Sequence, residues 1–358
     1  MTPDRRSDTV PRPTRRAALL LAGATLAAPF VARAQQRPMA RIAFGSCADQ
    51  NQPQPIWDAI LTYRPDLFIF AGDCVYGDSA DPDLGPLRAA YARQRDNEGF
   101  MKARRQLRHM AVWDDHDYGL NDGGAEFAHK AAAKDEFLRF WDVPPDDPRR
   151  GREGLYHAET FGPAGMRTQV ILLDARWFRS PLKRTDRLNA PGKERYVPDE
   201  DPTKTMLGET QWSWLSQRLR EPADIRLVVS SVQILAEGHG WERWGNLPLE
   251  RRKFFEVVRD AKAEGVVLVS GDRHIGAIYQ ESEDTPYTLT EITSSGLNKF
   301  FPGNKEDGPN RLGAVYGLPN FGTVEIDWWE RTVQVAVRDE VGQTVRHDSV
   351  DMDDLAEK

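Results

Sequence analysis

Short apolar runs of strand length recur along the chain, at Arg41–Gly45, Leu67–Ala71, Met110–Trp113, Thr168–Leu173, Ile225–Ser230 and Val266–Ser270. Each is bounded by turn-forming residues, as a strand buried on both faces requires. Between these runs the apolar positions return every three to four residues, which predicts amphipathic helices over Leu87–Leu107, Ala125–Trp141, Glu209–Arg220 and Leu249–Glu264. Gly265 stands where a C-terminal glycine cap would stop the last of them. Further on, Gly276–Gln280, Tyr287–Thr293, Val324–Trp328 and Val333–Arg338 alternate apolar and polar residues and read as half-exposed antiparallel strands. Together these patterns predict an α/β architecture with mixed sheets.

The residues just after each apolar run carry the chemistry. Ser46-Cys47-Ala48-Asp49, Gly72-Asp73, Asp114-Asp115-His116-Asp117, Asp174-Ala175-Arg176, Ser231-Val232-Gln233 and Gly271-Asp272-Arg273-His274 all sit where a strand ends. Asp and Gly after one strand are ordinary turn residues. Six strands that release polar groups, two histidines and a thiol among them, point instead to a ligand site at the C-terminal edge of the sheets.

Composition and charge narrow the setting. Thr14-Arg15-Arg16 precedes an uncharged Ala/Leu-rich run from Ala17 to Val31, and Ala32-Arg33-Ala34 supplies an A-x-A cleavage pattern. The run falls short of the ~20 residues a spanning helix needs. Residues 1–34 are therefore expected to be a twin-arginine export signal read by the twin-arginine translocase. Residues 35–358 are expected to form a single periplasmic or secreted domain with no permanent membrane anchor. The chain carries 48 Lys and Arg against 55 Asp and Glu; the first 34 residues hold six of the former and two of the latter, so the remainder has a net charge of −11. With no long basic block and no interleaved aromatics, that balance argues against nucleic acid as a partner. Two cysteines, Cys47 and Cys74, are too few for a disulfide scaffold, and the absence of Cys-x-x-Cys argues against a thiol-disulfide oxidoreductase.

At Phe44-Gly45-Ser46-Cys47, Gly72-Asp73-Cys74-Val75-Tyr76-Gly77-Asp78, Trp113 to Gly124, Leu207 to Trp212 and Ser270 to His274, the sequence resembles the calcineurin-like metallophosphoesterases. The likeness is stronger to their PhoD-like alkaline phosphatase branch, which includes PhoD-type phospholipase D enzymes. The resemblance implies a two-sheet mixed β-sandwich flanked by helices in four layers, αββα, with a multinuclear metal site at the sheet edge. It implies Fe(III) together with Ca²⁺, Zn or Mn being the alternatives, and as ligands Cys47, Asp73, Tyr76, Asp115, Asn121, Asp272 and His274, with Asp73 shared between ions. The donor chemistry agrees, since a thiolate and a phenolate suit Fe(III) while carboxylate and amide oxygens suit Ca²⁺. Asp49 is a weaker candidate.

The expected reaction is hydrolysis of a small-molecule or lipid phosphoester by a metal-activated hydroxide. His116 would be the acid, oriented by Asp117 or Asp114. Arg176 would either hold substrate phosphate or form a local ion pair. Gly238 to Trp241 and Trp244 are candidates for the mouth of the site. Pro181–Thr205, with four prolines and many charges, is either a lid or a solvated insertion. Cys74 stands where relatives commonly have Asn, so a Cys47–Cys74 disulfide is the alternative to a thiolate ligand. The rival activities are phosphodiester hydrolysis of the phospholipase D type and non-catalytic metal binding.

Overall fold

Residues 37–357 are described by a computed structural model; the expected export signal lies outside the described residues. The first sheet has the order β13 (Thr344–Asp351), β12 (Thr332–Asp339), β11 (Asn320–Asp327), β1 (Arg41–Gly45), β2 (Leu67–Ala71), β3 (His109–Val112). The second runs β10 (Arg311–Tyr316), β8 (Gly276–Glu281), β9 (Leu289–Ser294), β7 (Val266–Ser270), β6 (Ile225–Ser230), β5 (Thr168–Leu172), β4 (His157–Phe161). In the first sheet β1, β2 and β3 are parallel; in the second β5, β6 and β7 are. The expected two-sheet mixed sandwich is the architecture observed.

Side-chain alternation explains why the central strands read as continuous apolar runs. Leu227 and Val229 of β6 join the core shared with Ile42, Phe44 and Val324 of the other sheet. Val228, between them, joins a second core with Trp212 and Phe254. These two aromatics belong to the helices Gly208–Leu219 and Pro248–Asp260. The same split divides Val267 and Val269 from Val266 and Leu268 in β7. Each fully buried side chain of this kind contributes about 1.5–3 kcal/mol.

Helix ends depart from the sequence expectation for local reasons. The helix expected over Leu87–Leu107 is two, Gly85–Arg95 and Glu98–Gln106. The Asn97 side chain accepts a hydrogen bond from the Phe100 amide and starts the second as an N-cap. The next begins only at Lys130, not Ala125, because the Ala125 amide is bonded to the Arg179 carbonyl. Gly265 does not cap the helix that ends at Asp260. It takes φ +70 at the entry to β7, where a Cβ would lie 2.1 Å from the Asp224 carbonyl oxygen.

The two sheets meet at the C-terminal ends of their parallel strands. A Cβ on Gly271, just after β7, would lie 2.7 Å from the Ala71 carbonyl oxygen of β2 and 2.6 Å from Ser46 Oγ. Only glycine permits that approach, and it brings the polar strand ends of both sheets into one place.

Candidate metal centre

Cys47 follows β1, Asp73 follows β2, Asp114, Asp115 and His116 follow β3, and Asp272 and His274 follow β7. Cys47 (φ 61), Asp73 (φ 50), Asp122 (φ 53), Asp272 (φ 65) and His274 (φ 58) all adopt the left-handed backbone region. That conformation costs roughly 1–3 kcal/mol at a non-glycine residue, and its concentration here marks a place where side-chain direction outweighs backbone comfort. Gly72 (φ +104) leads into Asp73, and a Cβ there would lie 2.5 Å from Asp114 Cβ.

These turns converge the donors. Ligand atoms of Cys47, Asp73 and His274 lie within 4.8 Å of one another, as do those of Asp73, Asp115 and His116, and those of Asp114, Asp115 and Asp272. Cys47 Sγ is 3.6 Å from Asp73 Oδ2, and Tyr76 Oη is 3.3 Å from His274 Nε2. Asp73 belongs to two of these groups, the placement a shared ligand requires. Cys47 and Cys74 are both free thiols. Asn121 stands exposed in the wall of the adjoining pocket. Its neighbour Asp122, which carries no distinguishing sequence signal, forms a further group with Asp115 and Glu242. Asp49 stands apart, its carboxylate accepting from the Asn51 amide and side chain.

The electrostatics call for cations. Burial, and then Asp115, raise the Asp73 carboxyl well above its usual range. Burial likewise raises Asp114 and Asp272, against the opposing pull of Arg176 and Arg273 respectively. Asp115 goes the other way, to about 2, because His116 and Arg176 overcome its burial. Asp114 Oδ2 and Asp115 Oδ1 are buried without a hydrogen-bond partner. Burial also raises the Cys47 thiol, while His274 is lowered to about 4 by burial and then by Lys299 and Arg273, leaving a neutral imidazole. Unpartnered buried oxygens, a neutral imidazole and a thiol beside carboxylates form a donor set that fits metal ions.

His116 lies against this cluster. Its amide donates to Asp73 Oδ1 at 3.2 Å, and its ring centroid is 4.3 Å from that of Tyr76. Burial alone would lower this imidazole; Asp115, Asp73 and Asp78 prevail and push it up to about 11. The orienting carboxylate is Asp78, with Oδ2 2.5 Å from His116 Nδ1, in place of the expected Asp117 or Asp114. Asp117 is occupied by the amides of Asp114 and Cys74. Asp114 accepts from Ser231 and Arg176. Asp78 had a sequence signal, since it closes the Gly72–Asp78 segment.

Arg176 does not line the pocket. Its side chain has no exposed surface and is committed to Asp114 at 2.6 Å and Glu242 at 2.7 Å, so of the two expectations the ion pair is the one observed. Breaking a buried pair from one side strands the opposing charge. Arg176→Met is therefore expected to lower the unfolding free energy by about 3–5 kcal/mol in urea denaturation; a loss below about 1 kcal/mol would contradict this assignment. Trp244 is also withdrawn from the mouth, being fully buried with its indole N–H on Ser230 Oγ. Trp241 does line the pocket, which has a volume of about 230 Å³ and includes Asp115, His116, Asp272 and His274 in its wall. The loop Pro181–Thr205 reaches it through Arg195 and Tyr196, whose hydroxyl donates to Asp122 at 2.7 Å.

A family model described as PhoD-like phosphatase matches residues 42–316. Among solved structures, the chain is similar to one described as the structure of PhoD, at 16% identity, covering 87% of this chain and 72% of that one with a TM-score of 0.66. It is similar to GAP50, the anchor in the inner membrane complex of Plasmodium, at 14% identity over 90% of each chain and a TM-score of 0.56. The third is purple acid phosphatase PPD1 from yellow lupin (Lupinus luteus) seeds, at 10% identity, 90% of this chain, 55% of that one and a TM-score of 0.61. At such identities the likeness establishes a shared fold. No curated protein matches the sequence.

Proposed function

Because the chain belongs to the PhoD-like phosphatases, and is thus a metal-dependent phosphoric ester hydrolase, we propose that it hydrolyses phosphomonoesters at a mixed iron–calcium centre after export. Cys47, Asp73, Tyr76 and His274 would hold Fe(III); Asp115, Asn121, Asp122 and Asp272 would hold Ca²⁺, with Asp73 shared. The observation that carries this reading is the overlap of the two donor groups at Asp73, beside buried carboxylate oxygens that accept no hydrogen bond. When bound, such ions neutralise phosphoryl oxygens and raise the acidity of water.

The chain's own residues supply the remaining work. His116 Nδ1–H is held by Asp78, which leaves Nε2 to deliver a proton to the departing alkoxide. The Tyr76 ring, close against the imidazole, limits its rotation. Arg176 fixes Asp114 and Glu242 beneath the site, so the turn after β3 holds Asp115 and His116 in place.

Export is inferred from Arg15-Arg16 and the apolar run after them, which would bring the folded protein to the periplasm or medium through the twin-arginine translocase. Among the described residues no helix is long and apolar enough to cross a membrane.

Protein purified from its exported fraction is expected to contain iron and calcium by elemental analysis and to absorb visible light through phenolate or thiolate bound to Fe(III). It is expected to turn over 4-nitrophenyl phosphate faster than bis(4-nitrophenyl) phosphate. Zinc or manganese alone would overturn the metal assignment, and preference for the diester would move the activity to the phosphodiesterase branch.

A further inference from the structure

Part of the pocket wall is cationic and aromatic. Arg195 and Arg273 place their guanidinium carbons 5.3 and 5.2 Å from the Trp241 ring centroid, so one indole supports two positive charges. Both arginines and Trp241 line the pocket that also contains His116 and Asp115, and so does Phe301, which is 58% exposed.

Neither guanidinium is fully spent on the fold. Among the described residues no carboxylate lies within salt-bridge distance of Arg195. Adjacent Glu194 accepts from the amides of Gly192 and Gly240, and its charge is felt by Arg273 and not taken up in an ion pair with Arg195. The Arg273 side chain is only 10% exposed and pairs through Nη2 with Glu306, but its Nε has no partner. The loop carrying Arg195 is strapped down: the Arg195 and Tyr196 amides donate to the Gly240 carbonyl at 2.9 and 2.7 Å. Two positive charges held against one indole in the pocket wall attract a negative charge that enters the pocket, and Arg195, with no carboxylate partner, has donors free to receive it. On the proposed mechanism the reacting phosphoryl group would lie between the candidate metal ligands and His116, which leaves the arginines for another part of the substrate.

We propose that Arg195, Trp241 and Arg273 form a subsite for a negative charge on the leaving group, so that the preferred substrates are phosphoesters of alcohols or phenols that carry an anionic substituent such as a carboxylate. Phe301 offers apolar surface to the body of that group. The inference rests on the phosphoesterase reading and deepens it from reaction to substrate class.

The test compares two matched pairs of probes on the metal-loaded enzyme and on Arg195 variants. Turnover is measured on 4-carboxyphenyl phosphate and phenyl phosphate; binding is measured by calorimetry on the non-hydrolysable 4-carboxybenzylphosphonate and benzylphosphonate. The wild type is expected to favour the carboxylated member of each pair by roughly tenfold, the scale of one charge-assisted hydrogen bond. Arg195→Ala brings both ratios towards one, and Arg195→Lys retains part of them because the charge survives while the planar fork is lost. A wild-type ratio of one would overturn the subsite. So would a ratio untouched by Arg195→Ala, or an equal loss on both members of a pair, which is the mark of general steering. If neither ester turned over while the phosphonate ratio held, the phosphoesterase reading would fall and the anion subsite would stand.

Discussion

Asp73→Asn is expected to lower kcat/KM by well over the ~10²-fold that loss of an outer partner of a metal ligand typically costs. The residue joins the thiol and imidazole group to the carboxylate and His116 group, so its loss disturbs both. Asn tolerates the left-handed backbone that Asp73 adopts, and its carbonyl oxygen can still accept from the His116 amide, so the turn should survive. Stability should move in the opposite direction. The raised pKa of Asp73 means that the folded state binds its proton more tightly than the unfolded chain does. In metal-stripped protein the ionised carboxylate therefore destabilises the fold as pH rises above the ordinary Asp range. Metal-free Asp73→Asn should melt at a higher temperature than metal-free wild type at neutral pH, while binding less metal and turning over poorly. A variant that is inactive and also less stable without metal would show that the defect is one of folding.

His116→Ala is expected to reduce kcat by roughly 10²–10⁴, the range of a general acid, with metal content unchanged. Three carboxylates hold its proton in the metal-free site; cations on Asp73 and Asp115 would cancel two of them and leave Asp78 as the chief support. A proton donor works only while protonated, so kcat falls as pH rises through its pKa. Asp78→Asn should accordingly shift the alkaline limb of the kcat profile to lower pH and leave the acid limb in place. Full activity in His116→Ala, or an unmoved limb in Asp78→Asn, would remove these residues from the proton transfer.

The buried strands were legible because their packing is written as local apolarity: β1, β2, β6 and β7 match the expected limits. The strands missed, β4, β10 and β13, are all outermost in their sheets. One side of an edge strand lacks a partner strand, and Thr344–Asp351 carries charged and polar residues in place of an apolar pattern, as such strands do to resist pairing with other chains. The convergence of Cys47, Asp73, Asp115, Asp272 and His274 was legible for a related reason, since each lies just after a strand. What escaped were partnerships between loops that follow different strands and are remote in sequence. Asp78 on His116 joins two loops of the first sheet. Glu242 on Arg176 joins two loops of the second, and nothing local in Trp241-Glu242-Arg243 distinguishes a network carboxylate from a surface one. Arg176 was ambiguous for the same reason, because burial decides whether a guanidinium meets substrate or a neighbouring acid.

Metal dependence is tested most directly by phosphate release from 4-nitrophenyl phosphate by the purified enzyme, measured as isolated, after a chelator has removed its metals, and after iron and calcium are restored. Turnover is expected to disappear with the metals and return with them in wild type, and not to return in Asp73→Asn. Turnover that persists after complete metal removal, or that is restored equally in the variant, would contradict a metal centre shared at Asp73.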